Sequence, residues 1–210
     1  MLKVAANTTA EAWRKAFFKL MNTGKNTQDK EHIVNLPAAI EVKNTQIDRY
    51  DGRFSMSQEE IETINKHIVS GKDTEKVTHE WTKLYRKRLF EGSTNQIEEI
   101  IKYLNEKPHG KRAQANIWNQ QKDLYGEIAP CLQMVWFQVK NEKLETHVHL
   151  RASDAYGKLL MNINEFISLH HYVADELNVD YGKYIQFIDT CHVYKKDRKE
   201  AQELFEEMKE

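Results

Sequence analysis

Between Leu132 and Arg151 the chain alternates so regularly that little except a two-stranded β-ribbon accommodates it. The runs LQMVWFQVK at 132–140 and KLETHVHLR at 143–151 flank Asn141-Glu142. Alternating runs around a two-residue turn predict a β-hairpin. Leu144, Thr146, Val148 and Leu150 then point to one face, and Glu145, His147, His149 and Arg151 to the other. The rest of the chain is mostly helical in pattern. Trp13, Ala16, Phe17, Leu20 and Met21 recur at helix spacing and stop at Asn22-Thr23-Gly24. Ser57 and Glu60 have the spacing of a capping box, Ile61, Ile64 and Ile68 follow as a stripe, and Gly71 ends it. Ile97, Ile100, Ile101 and Leu104 form another stripe before Pro108-His109-Gly110. Phe166, Leu169, Val173 and Leu177 give a fourth, and Ala201, Leu204, Phe205 and Met208 a last one. Further strands are expected at 112–118 and 183–188, with short strands at 33–43 broken by Pro37. Residues 26–32 read as a loop, and the extreme N-terminus as disordered. Helices and strands share 210 residues without a regular βαβ alternation, so the expectation is a single α+β domain over 1–210.

Charge and cysteine content narrow the function. Lys and Arg number 31, Asp and Glu 32, and the net charge of −1 argues against holding nucleic acid by bulk electrostatics. One local basic pocket for a phosphate is compatible with it. No apolar run reaches the roughly 18 residues of a membrane span, and no signal peptide is evident. Cys131 and Cys191 make no disulfide framework, which points to a reducing, cytoplasmic setting.

Few residues carry chemistry by type and place. Cys131 follows Pro130 and opens the hairpin; it is either an inert core thiol or a nucleophile. A nucleophile needs a neighbouring cation, which Arg151 can supply from the adjacent strand. His147 and His149 share a strand face but are too few for a metal site, and His170-His171 lie on adjacent faces of a helix, so no metal is expected. Lys111-Arg112 and the run Lys83–Arg88 read as surface unless Arg151 joins them at a phosphate.

The order of these residues resembles the thymidylate synthase family, which includes the pyrimidine nucleotide hydroxymethylases. KRAQANIWN from Lys111, then Ala129-Pro130-Cys131, are similar to its arginine pair, strand and nucleophile segment. Arg151-Ala152-Ser153-Asp154 resembles its R-S-x-D element, Asn162 its base-reading Asn, and His192-Val193-Tyr194 its H-x-Y. Trp81-x-Lys83-x-Tyr85-Arg86 agrees more loosely, and Asp29-Lys30 stands near the family's mobile Asp-Arg pair.

The resemblance implies a mixed sheet flanked by helices, with sheets packed at a homodimer interface and shared active sites. It implies transfer of one carbon from 5,10-methylenetetrahydrofolate to C5 of dUMP, giving dTMP. Cys131 would add to C6. Arg151, Arg112 and Lys111 would bind phosphate, with Arg112 acting from the partner subunit. Asn162 would read uracil, and His192 and Tyr194 would hold the sugar. Asp154 and Trp81 would meet the folate. Hydroxymethylation of dUMP or another pyrimidine nucleotide, and a non-catalytic nucleotide-binding relative, are the alternatives.

Three departures bear on this. Lys111 and Ala152 replace an arginine and a serine. The family's catalytic glutamate, seven residues before Gly71, falls on Ile64, with Glu60 and Glu62 nearby. The chain ends soon after its last helix, where typical bacterial synthases continue and close the site.

Overall fold

The computed structural model describes residues 1–23, 30–126 and 129–209. In chain order it forms β1 (Leu2–Ala6), α1 (Thr9–Asn22), β2 (His32–Val42), α2 (Gln58–Ser70), α3 (Glu80–Phe90) and α4 (Gln96–Glu106). It continues with β3 (Gln114–Asn116), α5 (Gln120–Asp123), β4 (Leu132–Lys140), β5 (Lys143–Asp154), α6 (Leu159–Leu177), β6 (Asp180–Tyr194) and α7 (Arg198–Glu207). The strands make one mixed six-stranded sheet in the order β1-β2-β6-β5-β4-β3. β1 with β2 and β5 with β6 run parallel; the other neighbours run antiparallel. This is the expected single α+β domain.

The hairpin closes as its sequence demands. Lys140 pairs with Lys143, and the two turn residues, Asn141 at φ 50° and Glu142 at φ 60°, are left-handed. Two such residues match the twist of the flanking strands. Leu144, Thr146, Val148 and Leu150 are all buried. Against that face lies α6, buried over most of its length, polar residues included, because it is covered on both sides: β5 and β6 below, α1, α2 and α4 around it. The α2 cap forms as expected, with Ser57 and Glu60 bonded reciprocally and Gly71 at φ 69° ending the helix.

Several expectations fail for physical reasons. The N-terminus is ordered: β1 alternates buried and exposed residues and adds to the sheet edge in parallel to β2. Pro37 does not break its strand. β2 runs unbroken over 11 residues, with its register shifted between Leu36 and Ala38, so the missing N–H falls at a bulge. β3 is shorter than 112–118, and β6 extends well beyond 183–188. The basic run Lys83–Arg88 belongs to α3, whose arginines have internal partners. Arg86 donates to the carbonyls of Ile68 and Val69 at the end of α2, and Arg88 grips Asp123 with two bonds of 2.5 and 2.7 Å. Of the loop expected at 26–32, residues 26–29 lie outside the described residues, as does Asp29 of the mobile pair. His32 already belongs to β2. Among the described residues no helix is long and apolar enough to cross a membrane.

Candidate functional site

A cavity of about 300 Å³ opens where the ends of β4, β5 and β6 meet the starts of α3 and α6. That volume is at the lower end of small-molecule sites. Seven residues singled out in the sequence line it: Trp81, Cys131, Arg151, Asp154, Asn162, His192 and Tyr194.

The ladder between β4 and β5 sets the nucleophile segment. Arg151 N–H donates to the Cys131 carbonyl at 2.9 Å, and the guanidinium turns back along the same segment. Its Nε donates to Pro130 O at 3.0 Å and its Nη2 to Ala129 O at 2.6 Å. The cation is thereby held beside the thiol. Burial pushes the Cys131 thiol up, and the Arg151 charge pulls it back. Burial is the stronger effect, so the thiol of the free chain is protonated at neutral pH. Tyr85 closes the floor; its phenol oxygen accepts from Leu132 N at 3.2 Å.

The other wall comes from the end of β5. Asp154 accepts from the N–H of Tyr156 at 3.0 Å, and burial raises its carboxyl above the ordinary carboxylate range. A Cβ at Gly157 would stand 2.7 Å from the Asp154 carboxylate and push it from this position. Trp13 of α1 fixes this corner by donating from Nε1 to Ala155 O at 2.9 Å. Asn162, in the first turn of α6, accepts from Ser153 Oγ at 3.3 Å. From β6, His192 packs between His32, tilted at 58°, and Tyr194, edge-on at 77°, with ring centroids 4.3 and 4.6 Å away.

Some expected residues are elsewhere. Lys111 and Arg112 are exposed at the β3 edge and do not line the cavity. Glu60 is occupied in the α2 cap, and Glu62 accepts from Gln58 on the exposed side of α2. Ile64 is buried in the core. His147 packs on Trp136 with centroids 4.8 Å apart, and His149 bonds Asp189 at 3.1 Å. His170 and His171 face different partners, Thr146 and Thr45.

Sequence reading missed three lining residues, His79, Lys158 and Lys196, and named Ser153 only within its motif, not as a partner of Asn162. The two lysines carried a weak signal, since each lies within four residues of a motif already singled out. With Arg151 they make three cations against the single carboxylate of Asp154 in the lining, a balance suited to a phosphate.

The thymidylate synthase family model matches residues 25–210, most of the chain. The chain belongs to the thymidylate synthase family. A protein of Methanocaldococcus jannaschii named "Putative thymidylate synthase" is 27% identical over 208 residues, covering 92% of this chain and 91% of that protein. One of the same name from Methanosarcina mazei is 27% identical over 199 residues, covering 92% and 90%. A thymidylate synthase of Listeria innocua is 26% identical over 160 residues, covering 75% of this chain but 48% of that protein. The matched region of this thymidylate synthase family chain includes every lining residue of the cavity.

Proposed function

We propose that the chain is a folate-dependent enzyme that transfers one carbon to C5 of dUMP and yields dTMP. The observation that carries this reading is the convergence of Cys131, Arg151, Asp154, Asn162, His192 and Tyr194 on one cavity.

Arg151 uses two of its N–H groups on the Ala129 and Pro130 carbonyls, and its remaining donors, with Lys158 and Lys196, take the 5′-phosphate. His192 and Tyr194 hold the deoxyribose hydroxyl. Asn162 accepts from N3–H and donates to O4 of uracil. Phosphate at one end and amide at the other fix the base over Cys131, whose sulfur adds to C6. The addition puts negative charge on C5 and O4. The Asn162 N–H is already aimed at O4, so it stabilises that charge as it forms.

The residues present fit the folate: Asp154 offers a half-buried carboxyl for a pterin's N–H groups, and Trp81 an aromatic face. When bound, 5,10-methylenetetrahydrofolate supplies the one-carbon unit and, for dTMP, the hydride.

A homodimer with shared sites completes the proposal. Helices cover one face of the sheet, while Met134, Trp136, His147, His149 and Phe187 line an apolar groove on the other. Phe187 is 43% exposed there. Such a patch suits an isologous interface, and the edge position of Arg112 and Lys111 suits donation to the partner's phosphate. Mass spectrometry of dUMP incubated with methylenetetrahydrofolate tests the reaction. dTMP is expected; 5-hydroxymethyl-dUMP would move the assignment to hydroxymethylation, and unaltered dUMP would reject catalysis.

A further inference from the structure

One buried acid is unused by this chemistry. Glu165 lies on α6 one turn beyond Asn162, at the i,i+3 spacing that places both on one helix face. It is fully buried, and among the described residues neither carboxyl oxygen has a hydrogen-bond partner of good geometry. A carboxyl in that state is expensive, which calls for an explanation at a site. Two polar side chains face it, Thr82 of α3 and Asn162 itself. Thr82 Oγ1 is paired with His79 Nδ1 at 3.1 Å, and His79 lines the cavity. His79, Thr82, Glu165 and Asn162 therefore form a line behind the cavity that ends on the base-reading amide.

Donor and acceptor counting gives that line a purpose. An Asn amide that meets a pyrimidine through one lone pair and one hydrogen keeps a second lone pair on Oδ1 and a second hydrogen on Nδ2. Ser153 Oγ donates to Oδ1. Nδ2 has only the Met161 thioether, at 3.8 Å, a weak acceptor. Ser153 can donate or accept, so it does not by itself forbid a flipped amide, and a flipped amide would suit cytosine instead of uracil.

We propose that Glu165 is a positioning residue that accepts the spare Nδ2–H of Asn162, holds Oδ1 on the Ser153 side, and so sets which pyrimidine the site accepts. The inference rests on the reading of Asn162 as the base reader. Thr82 supplies the direction. When its hydroxyl donates to His79 Nδ1, its oxygen accepts the proton of the Glu165 carboxyl, and the other carboxyl oxygen is left to accept from Asn162. Burial raises Glu165 to about 8 and lowers His79 to about 4, so a neutral imidazole and a protonated carboxyl are the forms present near neutrality. An ionised Glu165 only accepts, so the amide keeps the same orientation in either state.

The test is equilibrium binding of dUMP, dCMP and 2-deoxyribose 5-phosphate to the full chain, as wild type, Glu165→Leu and Glu165→Gln. Leu removes the acceptor and lets Asn162 flip, so the dUMP-to-dCMP affinity ratio should fall at least about tenfold, with affinity for the sugar phosphate within about twofold. Gln has the donor and the acceptor of the protonated carboxyl, so with Thr82 accepting its N–H it keeps an oxygen for Asn162 and should retain most of the ratio. Parallel weakening of all three ligands would show a merely structural role and overturn the inference, as would a ratio unchanged in Glu165→Leu. If Glu165→Leu fails to fold, Thr82→Val breaks the same line and is read in the same way. Wild type that binds no dUMP overturns the proposed function and this inference with it; wild type that binds dUMP, with the ratio unmoved in Glu165→Leu, overturns only this inference.

Discussion

The two cysteines stand on either side of the end of β5 and have opposite surroundings. Cys131 is bonded through its carbonyl to Arg151, while Cys191 pairs in register with Ser153 from the other side. Burial raises both thiols. Beside Cys191 the Asp154 carboxylate pushes in the same direction, and the thiol reaches about 12. Around Cys131 the charge is Arg151, which pushes back, and the side chain reaches the cavity. Depth alone therefore does not decide whether a thiol is useful. The sign of the neighbouring charge and access to a ligand do.

The largest test of this contrast is loss of each sulfur. Cys131→Ser should lower kcat by about 10⁴-fold or more, because a hydroxyl cannot replace the nucleophile, while Cys191→Ser should stay within about threefold of wild type. Steady-state kinetics on dUMP decides it. Equal activity of Cys131→Ser and wild type would remove the covalent mechanism.

A smaller effect is expected from a residue absent from the cavity of its own chain. Arg112→Ala should cost about 10²-fold in kcat/KM if the partner's phosphate depends on it. Mixing inactive Cys131→Ser with impaired Arg112→Ala chains should then raise activity above that of either parent, because each mixed dimer holds one intact site. No recovery in verified mixed dimers would place Arg112 outside the chemistry.

The contrast between the cysteines was partly legible in the sequence. Pro130 before Cys131, and Arg151 at the end of the paired strand, follow from one hairpin register, and that register was fixed by alternation and a two-residue turn. Glu165 was not legible. A carboxylate inside an apolar helix pattern reads as a solvated face, and only the covering of α6 by the sheet and by α1, α2 and α4 buries it. α3 was hidden for the converse reason: its basic run reads as surface until Arg86 and Arg88 find carbonyl and carboxylate partners distant in sequence. β1 is short and gains its place only by pairing with a strand more than 30 residues away. Pattern captures what neighbours in sequence decide, and these features were decided by neighbours in space.

Buried groups without a charge partner also set the pH dependence of folding. Glu165 is raised from 4.5 to about 8, so below 4.5 it is protonated in both states, and as pH rises toward 8 the unfolded chain ionises first and stability falls. His170 and His171 are lowered from 6.5 to about 3 and about 4, so stability falls as pH drops below 6.5, where the unfolded chain gains protons first. The wild-type maximum should lie between these limbs. Glu165→Gln should flatten the alkaline limb, adding on the order of 4 kcal/mol near pH 8, and leave the acid limb in place. Urea unfolding across pH measures it, and an unchanged alkaline limb would mean that Glu165 is not the group responsible.

The smallest effect addresses the cysteines directly. If Arg151 is what separates them, removing its charge should raise the Cys131 thiol further and leave Cys191 alone. Iodoacetamide reacts with thiolate, so one unit of pKa is about a tenfold loss of rate below the pKa. Arg151→Met should therefore slow alkylation of Cys131 about tenfold near neutral pH, with the difference shrinking as pH approaches the pKa of the variant. Arg151→Lys keeps a charge but loses the two-carbonyl grip on Ala129 and Pro130, so its rate should fall between the two. Cys191, fully buried, should react only as the fold opens and at the same rate in all three proteins. Peptide mass spectrometry after timed alkylation assigns each rate to its cysteine. If Cys191 reacts as fast as Cys131 in wild type, the two thiols are equivalent in solution, and Arg151 has no activating role.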